Sequence, residues 1–310
     1  VLLNWSIVRV GNLIGGGFLL GGHHSASSFG ASSAASAFFA FDFGFAFFGA
    51  LLAADSAVSP PRAARLRSRF ALDLVEVVPS DPGSTSTTVG IAEAGAAEIE
   101  RWLKSPEPQV LAIGTGRTLK AAVDQLPPME CPQHRIVSLT GNIGLDGSAA
   151  YYNVIFSMAD AVKARHFPMP LPVLCSSAEE RELLHDQSMV RSTLALGSAA
   201  NVTFVGVGEL GPDAPLCQDG FLAQEEMAGL TKAGAAGEIC GWMFDHDGAL
   251  LSGSFNERVA SVPLPPRDKA SVIGLAKGRR KYEALRAAVK GGIINGLITD
   301  EATASYLLNA

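Results

Sequence analysis

The sequence predicts an α/β protein with a parallel sheet that is covered by helices on both faces. From residue 62 onward, short apolar runs alternate with stretches of helical spacing. The runs are almost continuously apolar, as in VTFVGVG at 202–208, which is typical of strands buried on both faces. In Rossmann-like sheets of this kind, ligands bind beyond the carboxyl ends of the strands.

The predicted elements alternate along this whole region. The strands are 74–80, 109–114, 135–141, 171–176, 202–208, 258–264, 271–278 and 294–299. The helices are one that ends at 70, then 91–103, 118–126, 151–165, 178–200 (as one helix or two), 279–290 and 300–308. Pro127-Pro128 ends the helix before it, because proline has no N–H to continue the ladder. Residues 237–251 predict a hairpin that turns on Asp247-Gly248.

Composition argues against several classes of protein. The net charge of −6 indicates no globally basic surface, so any contact with DNA has to be local. The four cysteines include no C-x-x-C pair and the six histidines show no metal spacing, so we expect free thiols in a reducing cytoplasm and no metal. We expect no cofactor either, because the P-loop spacing is absent and Leu119 occupies the third glycine position of a dinucleotide fingerprint.

Three Gly-rich turns, two of which also carry Thr, follow apolar strands, at 114–118 (GTGRT), 140–144 (TGNIG) and 206–209 (GVGE). Glycine lets backbone amides approach a ligand, and Arg117 adds a cation at the start of the next helix. Any one turn is no more than a tight connection, but together with the basic stretch 277–281 they predict a site for a phosphorylated small molecule. We expect its lining to be Gly114, Thr115, Gly116, Arg117, Thr118, Thr140, Gly141, Asn142 and Lys281. Lys281 is expected to reach the phosphate, while Lys277, one helical turn earlier, stays near the rim.

Five stretches resemble the SorC-type sugar-binding transcriptional regulators of bacteria. They are RFALDLVEVVPS, VLAIGTGRTLKAAVDQL, IVSLTGNIG followed by Tyr151-Tyr152-Asn153, VTFVGVGELG, and AKGRRKYEALRAAVKGGIINGLITDEATASYLL. The resemblance covers residues 68–309. It departs from the family pattern at Lys277-Gly278, where the family usually has two glycines.

This resemblance implies a domain related to ribose-5-phosphate and glucosamine-6-phosphate isomerases, which has kept their sugar-phosphate pocket and lost the catalysis. It implies a cytoplasmic regulator of a carbohydrate operon that binds operator DNA and a sugar or sugar phosphate as a dimer or tetramer. An N-terminal helix-turn-helix domain is then expected at residues 1–60. The effector-binding and oligomerisation domain is expected at residues 61–310.

The first sixty residues have an unusual composition. They hold Arg9, Asp42 and Asp55 as their only charged side chains, and nine of the 16 phenylalanines. Phosphate contacts need Lys and Arg, so this composition does not suit DNA binding. Residues 37–53 form an apolar run of 17 interrupted by Asp42, which is at the short edge for a membrane span.

The spacing in this segment nevertheless matches the family. The recognition helix of that family has the pattern Gly-x-Ser-Arg-x-x-Ser-Arg-Leu-Leu, and GASSAASAFF at 30–39 keeps the same register. The DNA-facing positions are then Ser32, Ser33 and Ser36. One explanation is that these residues were mis-assigned from weak electron density, with long side chains truncated to Ala, Ser or Gly. The alternative is a truly degenerate segment.

Two other functions stay open at this stage. A sugar-phosphate isomerase or deaminase of the same superfamily would need a general base, for which Asp146, Glu209 and Asp247 are candidates. Each of them also fits an ordinary loop or turn position. A membrane-anchored binding protein would rest on residues 37–53 alone.

We expect the gene to encode Lys, Glu and Arg at ordinary frequency between positions 1 and 60, because a helix-turn-helix domain needs cations for phosphate contacts. Sequencing the gene checks this directly. Codons that match the printed residues would leave the degenerate segment as the answer.

Overall fold

Strands and helices alternate along the described part of the chain, as the apolar runs predict. The computed structural model describes residues 59–81, 89–144, 147–149 and 152–310. The strands are β1 (Leu74–Val78), β2 (Val110–Ile113), β3 (Arg135–Ile143), β4 (Arg165–Pro172), β5 (Val202–Gly206), β6 (Ala235–Ile239), β7 (Trp242–Asp245), β8 (Ser271–Leu275) and β9 (Gly296–Asp300). The helices are α1 (Ser59–Phe70), α2 (Val89–Leu103), α3 (Arg117–Val123), α4 (Val154–Val162), α5 (Ala178–His185), α6 (Ser188–Ser198), α7 (Pro215–Gln218), α8 (Gln224–Lys232), α9 (Tyr282–Lys290) and α10 (Glu301–Asn309).

Seven strands form one parallel sheet in the order β1-β9-β8-β5-β2-β3-β4. The chain runs outward from β2 through β3 to β4, and in the other direction from β5 through β8 to β9. The order therefore reverses between β5 and β2, where Leu111 pairs with Val202. Such a reversal leaves a crevice at the carboxyl ends of the two central strands, since their connections depart to opposite sides.

Apolar side chains fill both faces of the sheet. One face packs Leu66, Val190, Leu285 and Leu307 from the helices against Ala112, Val137, Val205, Val272 and Leu297. The other face packs Ile99, Leu119, Ala122, Val154 and Met158 against Leu111, Ile136, Phe204 and Ile273. Burial on both sides explains why these strands are continuously apolar, and it confirms the predicted α/β parallel sheet.

The hairpin of β6 and β7 turns at a different place from the prediction. Its two-residue turn is Cys240-Gly241, with φ angles of 53° and 85°. Positive φ at both positions matches the twist of the strands, and only the second position is a glycine. Asp247-Gly248 forms a separate turn, in which the Asp245 carboxylate accepts hydrogen bonds from the N–H groups of Asp247 and Ala249.

Three predicted element boundaries are also wrong. Residues 258–264 form no strand beyond a single bridge between Leu174 and Val259, and prolines at 263, 265 and 266 supply no N–H for a ladder. The helix predicted at 151–165 begins at Val154 and ends at Val162, and Lys163 after it has a φ of 52° that closes the helix. The strand predicted at 171–176 begins earlier, as β4, because an edge strand tolerates its alternate prolines.

The N-terminal predictions lie outside the described residues. These are the helix-turn-helix domain, its recognition positions Ser32, Ser33 and Ser36, and the apolar run 37–53. The sheet belongs to the compact unit Leu51–Ala310. Within the part of the chain that the structure describes, no helix is long and apolar enough to cross a membrane.

Asn295→Ala should destabilise the protein by about 1–3 kcal/mol, the cost of leaving buried polar groups unpaired. The buried Asn295 side chain accepts a hydrogen bond from the Val272 N–H and donates to the carbonyls of Arg267 and Ala270. Urea unfolding measures the effect. Asn309→Ala, at the exposed end of α10, is the control and should stay within about 0.5 kcal/mol of wild type. Equal stability of the two variants would contradict the prediction.

Candidate functional site

A cavity of about 130 Å³ lies at the carboxyl end of the sheet, where the strand order reverses. Its wall comes from three sources. The strand ends supply residues 115–119, 140, 206–208 and 281; α7 and the loop after it supply residues within 215–221; and the β6–β7 hairpin supplies residues within 238–241. Tyr152 and Val173 complete the lining. The hairpin therefore covers a crevice that the sheet alone would leave open.

The turn after β2 has a backbone that requires its glycines. Gly116 has a φ of 120°, a conformation that other residues rarely adopt, and it precedes α3 directly. The Gly114 N–H donates to the Phe204 carbonyl at 2.9 Å, which fixes the turn against β5. The Thr115 hydroxyl donates to the Tyr152 carbonyl at 2.8 Å, and the Arg117 side chain is exposed at the cavity wall. This turn therefore presents one guanidinium and the Thr118 hydroxyl to a ligand.

The turn after β5 is shaped by Glu238 of the hairpin. Gly208 and Glu238 form a backbone bridge with N–H···O distances of 2.9 and 3.2 Å. The Glu238 side chain folds over Gly208 so closely that a Cβ atom there would overlap its carboxylate. Its Oε2 accepts a hydrogen bond from the Gly241 N–H at 2.8 Å. Glycine at 208 is thus what allows this carboxyl to stand at the cavity wall.

Lys281 is held in place by two groups beside the cavity. Its Nζ donates to the Val207 carbonyl at 2.6 Å and lies 3.3 Å from Oε2 of the buried Glu209. Lys277 differs from its prediction, because its side chain is buried and lies off the wall. The two lysines share no helix face, since the segment between them is a 3₁₀ turn at Arg279–Lys281 and α9 begins only at Tyr282.

Burial raises the pKa of Glu238, and the nearby Glu209 carboxylate raises it further. The Gly241 N–H and the Lys281 ammonium act in the opposite direction, because both favour the charged carboxylate. Burial also raises the pKa of Asp219, another residue of the wall, against the lowering effect of Arg117. Each cation of the cavity thus has an acidic partner on the wall.

Cys240 contributes an apolar surface rather than a nucleophile. Burial is the main cause that raises the pKa of its thiol, and the neighbouring Glu238 raises it further. The thiol is therefore protonated at neutral pH. Among the described residues, no group of three or more His, Cys, Asp and Glu side chains is placed to hold a metal ion.

The structure brings six of the nine predicted site residues to one cavity. Thr115, Gly116, Arg117, Thr118, Thr140 and Lys281 line it. Gly114, Gly141 and Asn142 lie off the wall. Gly114 packs beside the Cys240 sulfur, and a side chain on Gly141 would overlap the Leu171 carbonyl, so both glycines serve the packing of strands.

The three candidate bases have other surroundings. Glu209 is paired with Lys281, and the exposed Asp247 forms an ion pair with Lys290 at 2.7 Å. Asp146 lies outside the described residues. Sequence reasoning missed Glu238 and Asp219, which lie on the hairpin and the α7 loop rather than at strand ends. The one available signal was a glutamate inside the apolar hairpin sequence GEICGWMF.

Comparison with known proteins identifies the family. The family model described as "Putative sugar-binding domain" matches residues 61–309. The erythritol catabolism regulatory protein EryD of Brucella abortus is 31% identical over 244 residues, which are 79% of this chain and 77% of its own length. This chain belongs to the SorC-type family of sugar-binding transcriptional regulators. The transcriptional regulator LsrR of Escherichia coli K12 is another relative of this SorC-type regulator, 32% identical over 252 residues that cover 79% of this chain and 76% of its own.

Solved structures share the fold of this SorC-type regulator. The full-length sorbitol operon regulator SorC from Klebsiella pneumoniae superposes with a TM-score of 0.70 at 23% identity, over 81% of each chain. A DeoR family transcriptional regulator from Listeria monocytogenes has a TM-score of 0.71 at 20% identity, over 80% of this chain and 99% of its own. The relatives are regulators, which favours the regulator over the isomerase alternative.

Glu238→Gln should flatten the dependence of stability on pH. Because its folded pKa is raised, the native state keeps this proton at pH values where the unfolded chain has lost it. The contribution of Glu238 to the free energy of unfolding is therefore complete below its ordinary pKa of 4.5, and it declines as the pH rises through the pKa of the folded state. Urea unfolding from pH 4.5 towards neutrality measures this slope. Glu225→Gln, exposed on α8, serves as control, and equal slopes for the Glu238 variant and wild type would contradict the assignment.

Proposed function

We propose that this SorC-type regulator binds a sugar or sugar phosphate in the cavity and that binding changes its affinity for operator DNA. The observation that carries the proposal is the convergence of Arg117, Lys281 and threonine hydroxyls at the reversal of the sheet. Parallel α/β sheets place their ligand sites at this position. The membership of the chain in a family of sugar-binding regulators supplies the class of ligand.

The charges on the cavity wall indicate which group of the effector each side chain contacts. Lys281 already faces Glu209 and Glu238, so its surroundings suit a hydroxyl group better than a second anion. Arg117 is the exposed cation, and among the described wall residues Asp219 is the carboxylate that interacts with its charge. We therefore assign a phosphate, when the effector has one, to Arg117 and Thr118. Lys281 and Glu238 take sugar hydroxyls, which revises the expectation that Lys281 meets the phosphate.

The DNA-binding function falls to the N-terminal segment. We assign residues 1–60 to a helix-turn-helix domain with Ser32, Ser33 and Ser36 on its recognition helix, and residues 61–310 to effector binding and oligomerisation. Operators are usually palindromic and match a two-fold symmetric protein, so we assign a homodimer or homotetramer in the cytoplasm. The β6–β7 hairpin and the C-terminal helices are the proposed interface.

Control of transcription requires that the effector bind two states of the protein unequally. The hairpin is the element that meets this requirement, because Glu238 belongs to it while Lys281 and Arg117 belong to the sheet side. A ligand that contacts both sides favours whichever arrangement brings them together. Operator affinity then follows that equilibrium.

We propose no catalytic activity. Glu238 and Asp219 are the wall carboxyls among the described residues that an isomerase could use as a base, so a turnover assay decides the point. Incubation with the bound sugar phosphate should return it unchanged. Conversion to a ketose or aldose isomer would favour the isomerase instead.

Arg117→Gln should weaken binding of a sugar phosphate by about 10- to 100-fold, the equivalent of a lost charge-assisted hydrogen bond of about 1.5–3 kcal/mol. It should leave binding of the corresponding neutral polyol almost unchanged. Lys281→Gln should weaken both ligands, because it contacts hydroxyls that they share. A thermal-shift screen of polyols, sugars and their phosphates identifies the sugar phosphate and the corresponding neutral polyol that bind, and calorimetry measures the two affinities.

Lys232→Gln, exposed at the end of α8, is the matched control and should bind both ligands as wild type does. The same ligand should release wild-type protein from operator DNA in a gel-shift titration. A sugar phosphate that binds the Arg117 variant and wild type equally well would contradict the assigned orientation. Absence of any sugar or sugar-phosphate ligand would contradict the proposed function itself.

A further inference from the structure

Helix α1 is a basic segment in an acidic protein. Its twelve residues, SPPRAARLRSRF, contain four arginines and no acidic residue, whereas the whole chain has a net charge of −6. The helix is anchored by Leu66, which is fully buried in the core. Ala63 and Phe70 pack against the same core, so the charges of α1 are concentrated on its outer surface.

Two of the four arginines are used within the fold. Arg62 forms an ion pair with Glu301 at 2.8 Å. Arg69 donates hydrogen bonds to the carbonyls of Leu308 and Ala310. Both contacts tie α1 to α10, so these two guanidinium groups hold the helix in place.

The side chains of the other two arginines are exposed and make no hydrogen bond or ion pair to any described residue. Arg65 and Arg67 are the neighbours of Leu66, so each projects about 100° away from the buried side of the helix. The face opposite Leu66 carries the small residues Ala64 and Ser68. The two guanidinium groups thus lie on either side of a helix face with small side chains, which a partner can approach closely.

We infer that Arg65 and Arg67 bind the phosphate backbone of DNA. Guanidinium matches phosphate geometry, and the face of small side chains between them lets both arginines reach a strand at once. The inference rests on the proposed DNA-binding function and adds a contact surface outside residues 1–60. These arginines contact no base in this assignment, so they add affinity without sequence preference.

Helix α1 follows directly, in the sequence, the segment to which the proposed function assigns DNA binding. Phosphate neutralisation needs several cations, and Arg65 and Arg67 add two of them directly after that segment.

The test is the salt dependence of DNA binding by the full chain. Wild type and the double variant Arg65→Gln/Arg67→Gln are titrated with operator DNA and with unrelated DNA between 50 and 200 mM salt. Each lost phosphate contact lowers the slope of log affinity against log salt by about 0.9. Two lost contacts should lower it by about 1.8, so wild-type affinity falls about 10-fold more than that of the variant over this range.

The matched control is Arg135→Gln/Arg191→Gln, which removes the same charge from two exposed arginines elsewhere on the domain. It should keep the wild-type slope. Equal losses on operator and unrelated DNA support phosphate contacts at α1. If the α1 variant keeps the wild-type slope, the inference is overturned, but the proposed function stands as long as wild type binds the operator. A loss of affinity confined to operator DNA overturns the phosphate assignment. Wild-type protein that binds neither DNA overturns both.

Discussion

The reversal of strand order between β5 and β2 is the constraint on which the rest of the structure depends. Because connections from these two strands leave in opposite directions, no crossover helix in the described part of the chain covers their carboxyl ends. The glycine turns after β2 and β5 can therefore face one another across a crevice. Thr140 reaches it from β3 on one side, and Lys281 reaches it from the segment after β8 on the other.

The hairpin turns this crevice into a cavity, and it does so through a charged contact. Glu238 lies over Gly208 while Lys281 lies between the Val207 carbonyl and Glu209. A buried carboxyl without a nearby cation is costly, so the lysine and the two glutamates depend on one another. The same groups face the ligand space, which links the closure of the hairpin to what occupies the cavity.

The helix that enters the domain is coupled to the end of the chain. Arg62 and Arg69 of α1 hold Glu301 and the last carbonyls of α10. The Asp300 side chain at the end of β9 caps α10 by accepting a hydrogen bond from the Thr303 N–H. Thr303 in turn accepts a hydrogen bond from the Gly278 N–H, three residues before Lys281. Hydrogen bonds thus run from the cavity side of β8 to the helix that follows the N-terminal unit.

The sequence by itself determined the fold class, the position of most strands and the turn at 114–118. Continuous apolar runs require burial on both faces, and Gly116 requires a backbone that other residues avoid. These are local properties, which a sequence displays directly. The five stretches that resemble the family also pointed to the regulator that the comparisons identify.

Only the tertiary structure decided which side chains share the cavity. Gly141 and Asn142 follow Thr140 in the sequence, yet only Thr140 lines the wall. Strand alternation turns position 141 to the other face, and the pairing of β3 with β4 changes register between Gly141 and Ile143, around Asn142. Lys277 was expected at the rim and is buried, since a 3₁₀ turn replaces the helical turn that the spacing suggested. Glu238 and Asp219 reach the site from elements far along the chain, and contacts of that kind depend on how the hairpin and the α7 loop fold back over the sheet.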